Sequence, residues 1–81
     1  MSREEVLSIV NEIFIDVFDD EDIVINDNTT ANDIEDWDSL EQVNLIVAIE
    51  KKFVMKFKME EVYSMKNVGE MIDIILERTA L

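Results

Sequence analysis

The run Trp37-Asp38-Ser39-Leu40-Glu41-Gln42-Val43-Asn44-Leu45-Ile46-Val47-Ala48-Ile49-Glu50-Lys51-Lys52-Phe53 decides how the rest of the chain folds. Leu40, Val43, Ile46, Val47, Ala48 and Phe53 recur at helical spacing. The helix is expected to start at Asp38 or Ser39, where Asp38 and Glu41 have the form of a capping box. Lys51 and Lys52 fall in its last turn, where positive charge suits the helix dipole. Leu45 and Ile49 broaden the apolar set, so this helix should touch neighbours on more than one side and serve as the central element.

Upstream, Ser2 and Glu5 form a second capping box, and Val6, Val10, Ile13, Phe14 and Val17 make one apolar stripe behind it. That first helix should fail at Asp19-Asp20-Glu21-Asp22, because carboxylates are disfavoured at the C-terminal end of the dipole. Residues 19–38 have no helical period and are rich in Asp, Asn and Thr, whose side chains compete for backbone hydrogen bonds. So long a connection points to a functional or flexible loop. Ile23, Ile25, Ile34 and Trp37 are expected to pin it to the core; Ile23-Val24-Ile25 has strand character but no convincing partner strand.

Downstream, Phe53 to Lys58 alternates only in part and reads as an extended connector, and Met59 to Met65 as one or two short helical turns. Asn67 and Glu70 open a last helix with the stripe Val68, Met71, Ile72, Ile75 and Leu76, and Arg78 suits its C-terminal end. The expectation is an all-α fold: three main helices and a short fourth, packed as a bundle in a single domain over residues 1–81.

Composition narrows the function. The chain has no cysteine and no histidine, which removes thiolate chemistry, the commonest general base and the commonest transition-metal ligand. One glycine and no proline cannot build a Gly-rich phosphate cradle. Little is left for an enzyme, and neither catalytic nor metal-ligating residues are assigned. A net charge of −13 disfavours nucleic acid and anionic membrane surfaces and favours proteins with basic patches. The same charge should keep copies apart, so a monomer is expected. The polar start Met1-Ser2-Arg3-Glu4-Glu5 does not read as a signal peptide, and a cytoplasmic location is expected. The Asp- and Asn-rich loop raises a calcium-binding module, but without glycine it fails the EF-hand spacing.

Asp38-Ser39-Leu40 carries the chemistry that remains. A serine at a helix N-terminus has unpaired N–H groups and the positive dipole end beside it, a place that favours an anion such as a phosphodiester on its Oγ. Asp and Ser are also ordinary N-cap residues, and a cap alone accounts for the tripeptide. Context separates the two readings. Asp38-Ser39-Leu40, in register with the helix reaching Phe53, closely resembles the phosphopantetheine attachment region of acyl carrier proteins. Asn67-Val68-Gly69-Glu70-Met71-Ile72 resembles the start of that family's last helix.

The resemblance implies a four-helix acyl-carrier-like bundle with a long first loop. It implies that a phosphopantetheinyl transferase moves 4'-phosphopantetheine from coenzyme A onto Ser39, with Asp38 helping to place Mg²⁺, and that acyl groups then ride as thioesters on the arm. It implies retreat of the cargo past Val43, Ile46, Val47, Phe57, Val62 and Ile72, residues that core packing explains equally well. Met55, Met59, Met65 and Met71 read as adaptable filler. Acyl-loading and acyl-processing enzymes with basic patches would dock on Asp38, Leu40, Glu41, Val47 and Glu50. Two departures stand out: Lys51 and Lys52 follow Glu50 where fatty-acid synthesis carriers continue acidic, and Glu35-Asp36-Trp37 stands where many members have glycine just before the motif. The lysines interrupt the negative face, and Asn44 neutralises another commonly acidic position. They imply a carrier for a dedicated pathway, of fatty-acid, polyketide or related type. An aminoacyl or peptidyl carrier, and an acidic interaction module without prosthetic group, are the competing readings.

Overall fold

Ser2 opens α1 (Arg3–Phe18) with both halves of the capping box: Glu5 N–H donates to Ser2 Oγ at 3.1 Å and Ser2 N–H donates to Glu5 Oε1 at 3.2 Å. Asp19 ends the helix in the left-handed region at φ 51°, a conformation a short polar side chain tolerates. The computed structural model describes residues 1–79; residues 80 and 81, the end of the expected 1–81 domain, lie outside the described residues. After the loop come α2 (Ser39–Phe53), α3 (Met59–Ser64) and α4 (Val68–Thr79). Among the described residues there is no strand, and no helix is long and apolar enough to cross a membrane.

The stripes meet in one core. Val6, Val10 and Phe14 of α1 pack with Leu45 and Ile49 of α2 and with Val68, Ile72 and Ile75 of α4, all essentially without solvent access. Burying each such side chain stabilises the fold by about 1.5–3 kcal/mol. The sequence marks α2 as the central element; the structure gives that place to α1, which packs against both α2 and α4. The broad apolar set of α2 is divided instead: Leu45, Ile46, Ile49 and Phe53 are buried, whereas Leu40, Val43 and Val47 face solvent.

The long loop is held by specific bonds. Asn11 of α1 accepts from Ile25 N–H at 2.8 Å and donates to the Ile23 carbonyl at 3.2 Å, so one side-chain amide takes the place of the partner strand that residues 23–25 lack. Ile25 is buried, and Ile23, Ile34 and Trp37 pack half-buried on the core. The loop also caps α4: Val68 N–H donates to the Thr29 carbonyl and Gly69 N–H to the Asp27 carbonyl, each at 2.9 Å. Gly69 permits this approach, because a Cβ there would lie 2.8 Å from the Asp27 carbonyl oxygen. Arg3 closes the same corner with bonds to Asp27, Asp73 and the Gly69 carbonyl.

Candidate functional site

Trp37 sets the position of the residues that follow it. Its ring meets Phe14 edge-on, with centroids 5.2 Å apart, and its indole N–H donates to Gln42 Oε1 at 2.7 Å. The loop therefore arrives at α2 fixed to both α1 and α2. Asp38 is the N-cap: Oδ1 accepts from Glu41 N–H at 2.9 Å, and its carbonyl accepts from Gln42 N–H at 2.9 Å. Only half of the expected box forms here, because the Glu41 carboxylate turns to accept from the Asn44 side chain at 2.7 Å.

Ser39 is the first helical residue, and it is exposed. Among the described residues its Oγ makes no hydrogen bond, and the N–H groups of Ser39 and Leu40 have no acceptor. The hydroxyl opens on a cleft of about 440 Å³ walled by Trp37, Gln42, Val43, Val62, Met65 and Met71. This suits an anionic ester carrying an extended, partly apolar chain: donors and the dipole receive the phosphate, and a mostly apolar channel lies alongside.

The comparisons agree with that fit. The family described as the phosphopantetheine attachment site matches residues 8–75. The chain belongs to the acyl carrier protein family. Acyl carrier proteins of Acidothermus cellulolyticus and Petrotoga mobilis are 33% and 34% identical to it, covering 98% and 96% of this chain and 94% and 92% of theirs. The solution structure of holo acyl carrier protein from Geobacter metallireducens superposes with a TM-score of 0.86 at 43% identity, covering 91% of this chain and 85% of that one. The all-α, four-helix acyl-carrier fold follows, and so does the cofactor, covalently attached phosphopantetheine. The chain is a carrier and not an enzyme.

The other residues marked in the sequence divide between surface and core. Leu40, 68% exposed, and Val47 stand on the open face of α2 with Asp38 and Glu41 nearby. Glu50 is turned away: its side chain is only 15% exposed, Oε2 accepts from Phe57 N–H at 2.9 Å, and Lys56 lies 3.9 Å from Oε1. Of the residues expected beside the cargo, Val43 and Val62 line the cleft. Ile46 and Ile72 are sealed in the core, Phe57 packs half-buried on it, and Val47 lines a different groove. Met65 and Met71, which read as filler, are cleft walls, as are Trp37 and Gln42. The α2 register alone points Gln42 and Val43 towards the cleft; the walls from α3 and α4 depend on long-range packing. No group of three or more metal-capable side chains occurs among the described residues.

Proposed function

We propose that this acyl carrier protein bears its phosphopantetheine on Ser39 and presents acyl intermediates to the enzymes of a dedicated biosynthetic pathway. The observation that carries the reading is the free Ser39 hydroxyl at the first turn of α2, beside two unpaired N–H groups and a cleft. When bound, the arm supplies a terminal thiol on which acyl groups ride as thioesters. Asp38 keeps the helix end open and ordered by capping Glu41 rather than Ser39 or Leu40, so those two N–H groups remain for the phosphate oxygens. Val43, Val62, Met65 and Met71 shelter the apolar part of the cargo from water.

Docking of the transferase and of acyl-processing enzymes is assigned to the open face of α2. Leu40 and Val47 supply apolar contact; Asp38 and Glu41 supply the charge that a basic patch recognises. Glu50 contributes less, because its carboxylate already serves Phe57. Lys51 and Lys52 reverse the sign at the far end of the helix, which favours specialised partners over general fatty-acid synthesis. A monomer fits the −13 charge.

Incubation with coenzyme A, Mg²⁺ and a broad-specificity phosphopantetheinyl transferase tests the first claim. Intact mass should rise by one phosphopantetheine in the wild type and not at all in Ser39→Ala. For the second claim, Lys51→Glu with Lys52→Glu should improve the kinetics with a fatty-acid ketosynthase. Unchanged kinetics would remove the dedicated-pathway reading.

A further inference from the structure

The C-terminal end of α2 carries a valine in a backbone conformation that suits glycine or asparagine. Val54 closes the helix in the left-handed region, at φ 53° and ψ 58°, where its N–H donates to the Glu50 carbonyl. Glycine or asparagine is the ordinary residue at such a cap, and a β-branched side chain there is strained. The side chain recovers nothing by packing, since it is 90% exposed. With Val47 it forms the apolar walls of a groove of about 480 Å³, floored by Met55 and lined also by Lys51, Lys56 and the half-buried Glu50.

The charge of this region is the reverse of the rest of the molecule. Residues 51–59 contain four lysines and no carboxylate, in a chain of net charge −13. The helix dipole accounts for Lys51 and Lys52 in the last turn, but not for Lys56 and Lys58 beyond it. Among the described residues Lys51, Lys52 and Lys58 form no salt bridge, and Lys56 reaches Glu50 only at 3.9 Å. A strained, exposed apolar residue shares one concavity with Lys51, which forms no salt bridge among the described residues, and with Lys56, whose partner Glu50 is engaged by Phe57 N–H.

We propose that this groove is a second docking point, which receives from a partner enzyme an apolar side chain flanked by carboxylates. The inference rests on α2 being the docking helix. It adds that a true partner is bipolar, basic where it meets Asp38 and Glu41 and acidic where it meets Lys51 and Lys56. Val54 is the apolar anchor, and the lysines select the sign of the partner. A fatty-acid enzyme with a uniformly basic patch would then be rejected at this end.

The test needs no loaded arm, so it is independent of modification at Ser39. The full-length chain, isotopically labelled, is titrated with a stapled helical peptide bearing leucines flanked by glutamates, and with its twin bearing lysines instead. The glutamate peptide should shift the amide resonances of Val47, Lys51, Val54 and Lys56, and the lysine peptide should not. Lys51→Glu with Lys56→Glu should weaken binding of the glutamate peptide by about tenfold or more. Val54→Asn should weaken it severalfold while raising the melting temperature, a combination that a purely structural residue would not give. Equal shifts by both peptides, or none at the groove, would overturn the proposal. So would self-association through the groove in sedimentation, or lysine-dependent binding to anionic vesicles, since the occupant would then be a second copy or a lipid surface.

Discussion

The two ends of α2 are built to opposite rules. At the N-terminal end the cap is a good one: Asp38 is extended, accepts a bond at 2.9 Å, and is steadied by Trp37 against Phe14. At the C-terminal end the cap is poor, with Val54 left-handed and bare to solvent. One end is negative and the other positive. The difference teaches that the Ser39 end is fixed in place by its cap and by the contact of Trp37 with Phe14. The far end gives up local stability while keeping an apolar, basic surface.

Removing the support of the first end should have the largest effect. Trp37→Ala deletes the edge contact with Phe14 and the bond to Gln42, and should destabilise the fold by about 3 kcal/mol by denaturant unfolding, the low end for an aromatic truncation because the ring is half-buried. Loading by the transferase should slow as well, since the residues before Ser39 lose their anchor. Asp38→Ala should cost about 1 kcal/mol, the usual loss for an N-cap, measured the same way. The opposite sign is expected at the other end. Val54→Asn should stabilise the fold by up to about 1 kcal/mol, because asparagine accepts the left-handed conformation more readily.

The smallest effect sharpens the picture of the connector beyond Val54. Glu61 is held below the ordinary carboxylate range, first by the Lys58 backbone N–H and then by Arg78. A depressed folded-state pKa stabilises above the unfolded value and loses that contribution as pH falls through the folded one. The stability advantage of wild type over Glu61→Gln should therefore be full at neutral pH and shrink as pH drops below about 4.5, the unperturbed value. A constant gap from pH 7 to pH 3 would show that the pair with Arg78 and Lys58 is not responsible.

Much of this architecture is legible in the sequence, for local reasons. The stripes of α1 and α4, the Ser2 box and the break at Asp19 depend on residues within a turn or two of each other. So does Asp38 as the N-cap of α2, which puts Ser39 at the helix mouth. The loop is less legible, because residues 23–25 find their hydrogen bonds on Asn11, distant in sequence. The walls of the cleft beside Ser39 depend on long-range packing in the same way: Val47 and Ile72 share a helical pattern with Val43 and Met71, and only packing among helices shows which of them face that cleft. The exposed Val54 cap has no sequence signal, since a valine after Phe53 reads as one more apolar residue in a connector.

Besides Ser39 the chain has three other serines, at 2, 8 and 64, that could receive the arm. Tandem mass spectrometry of the protein after exposure to coenzyme A and transferase locates the added group directly. All of the phosphopantetheine should be found on the peptide containing Ser39. Any stoichiometric addition at Ser2, Ser8 or Ser64, or a chain that stays unmodified, would contradict the assignment.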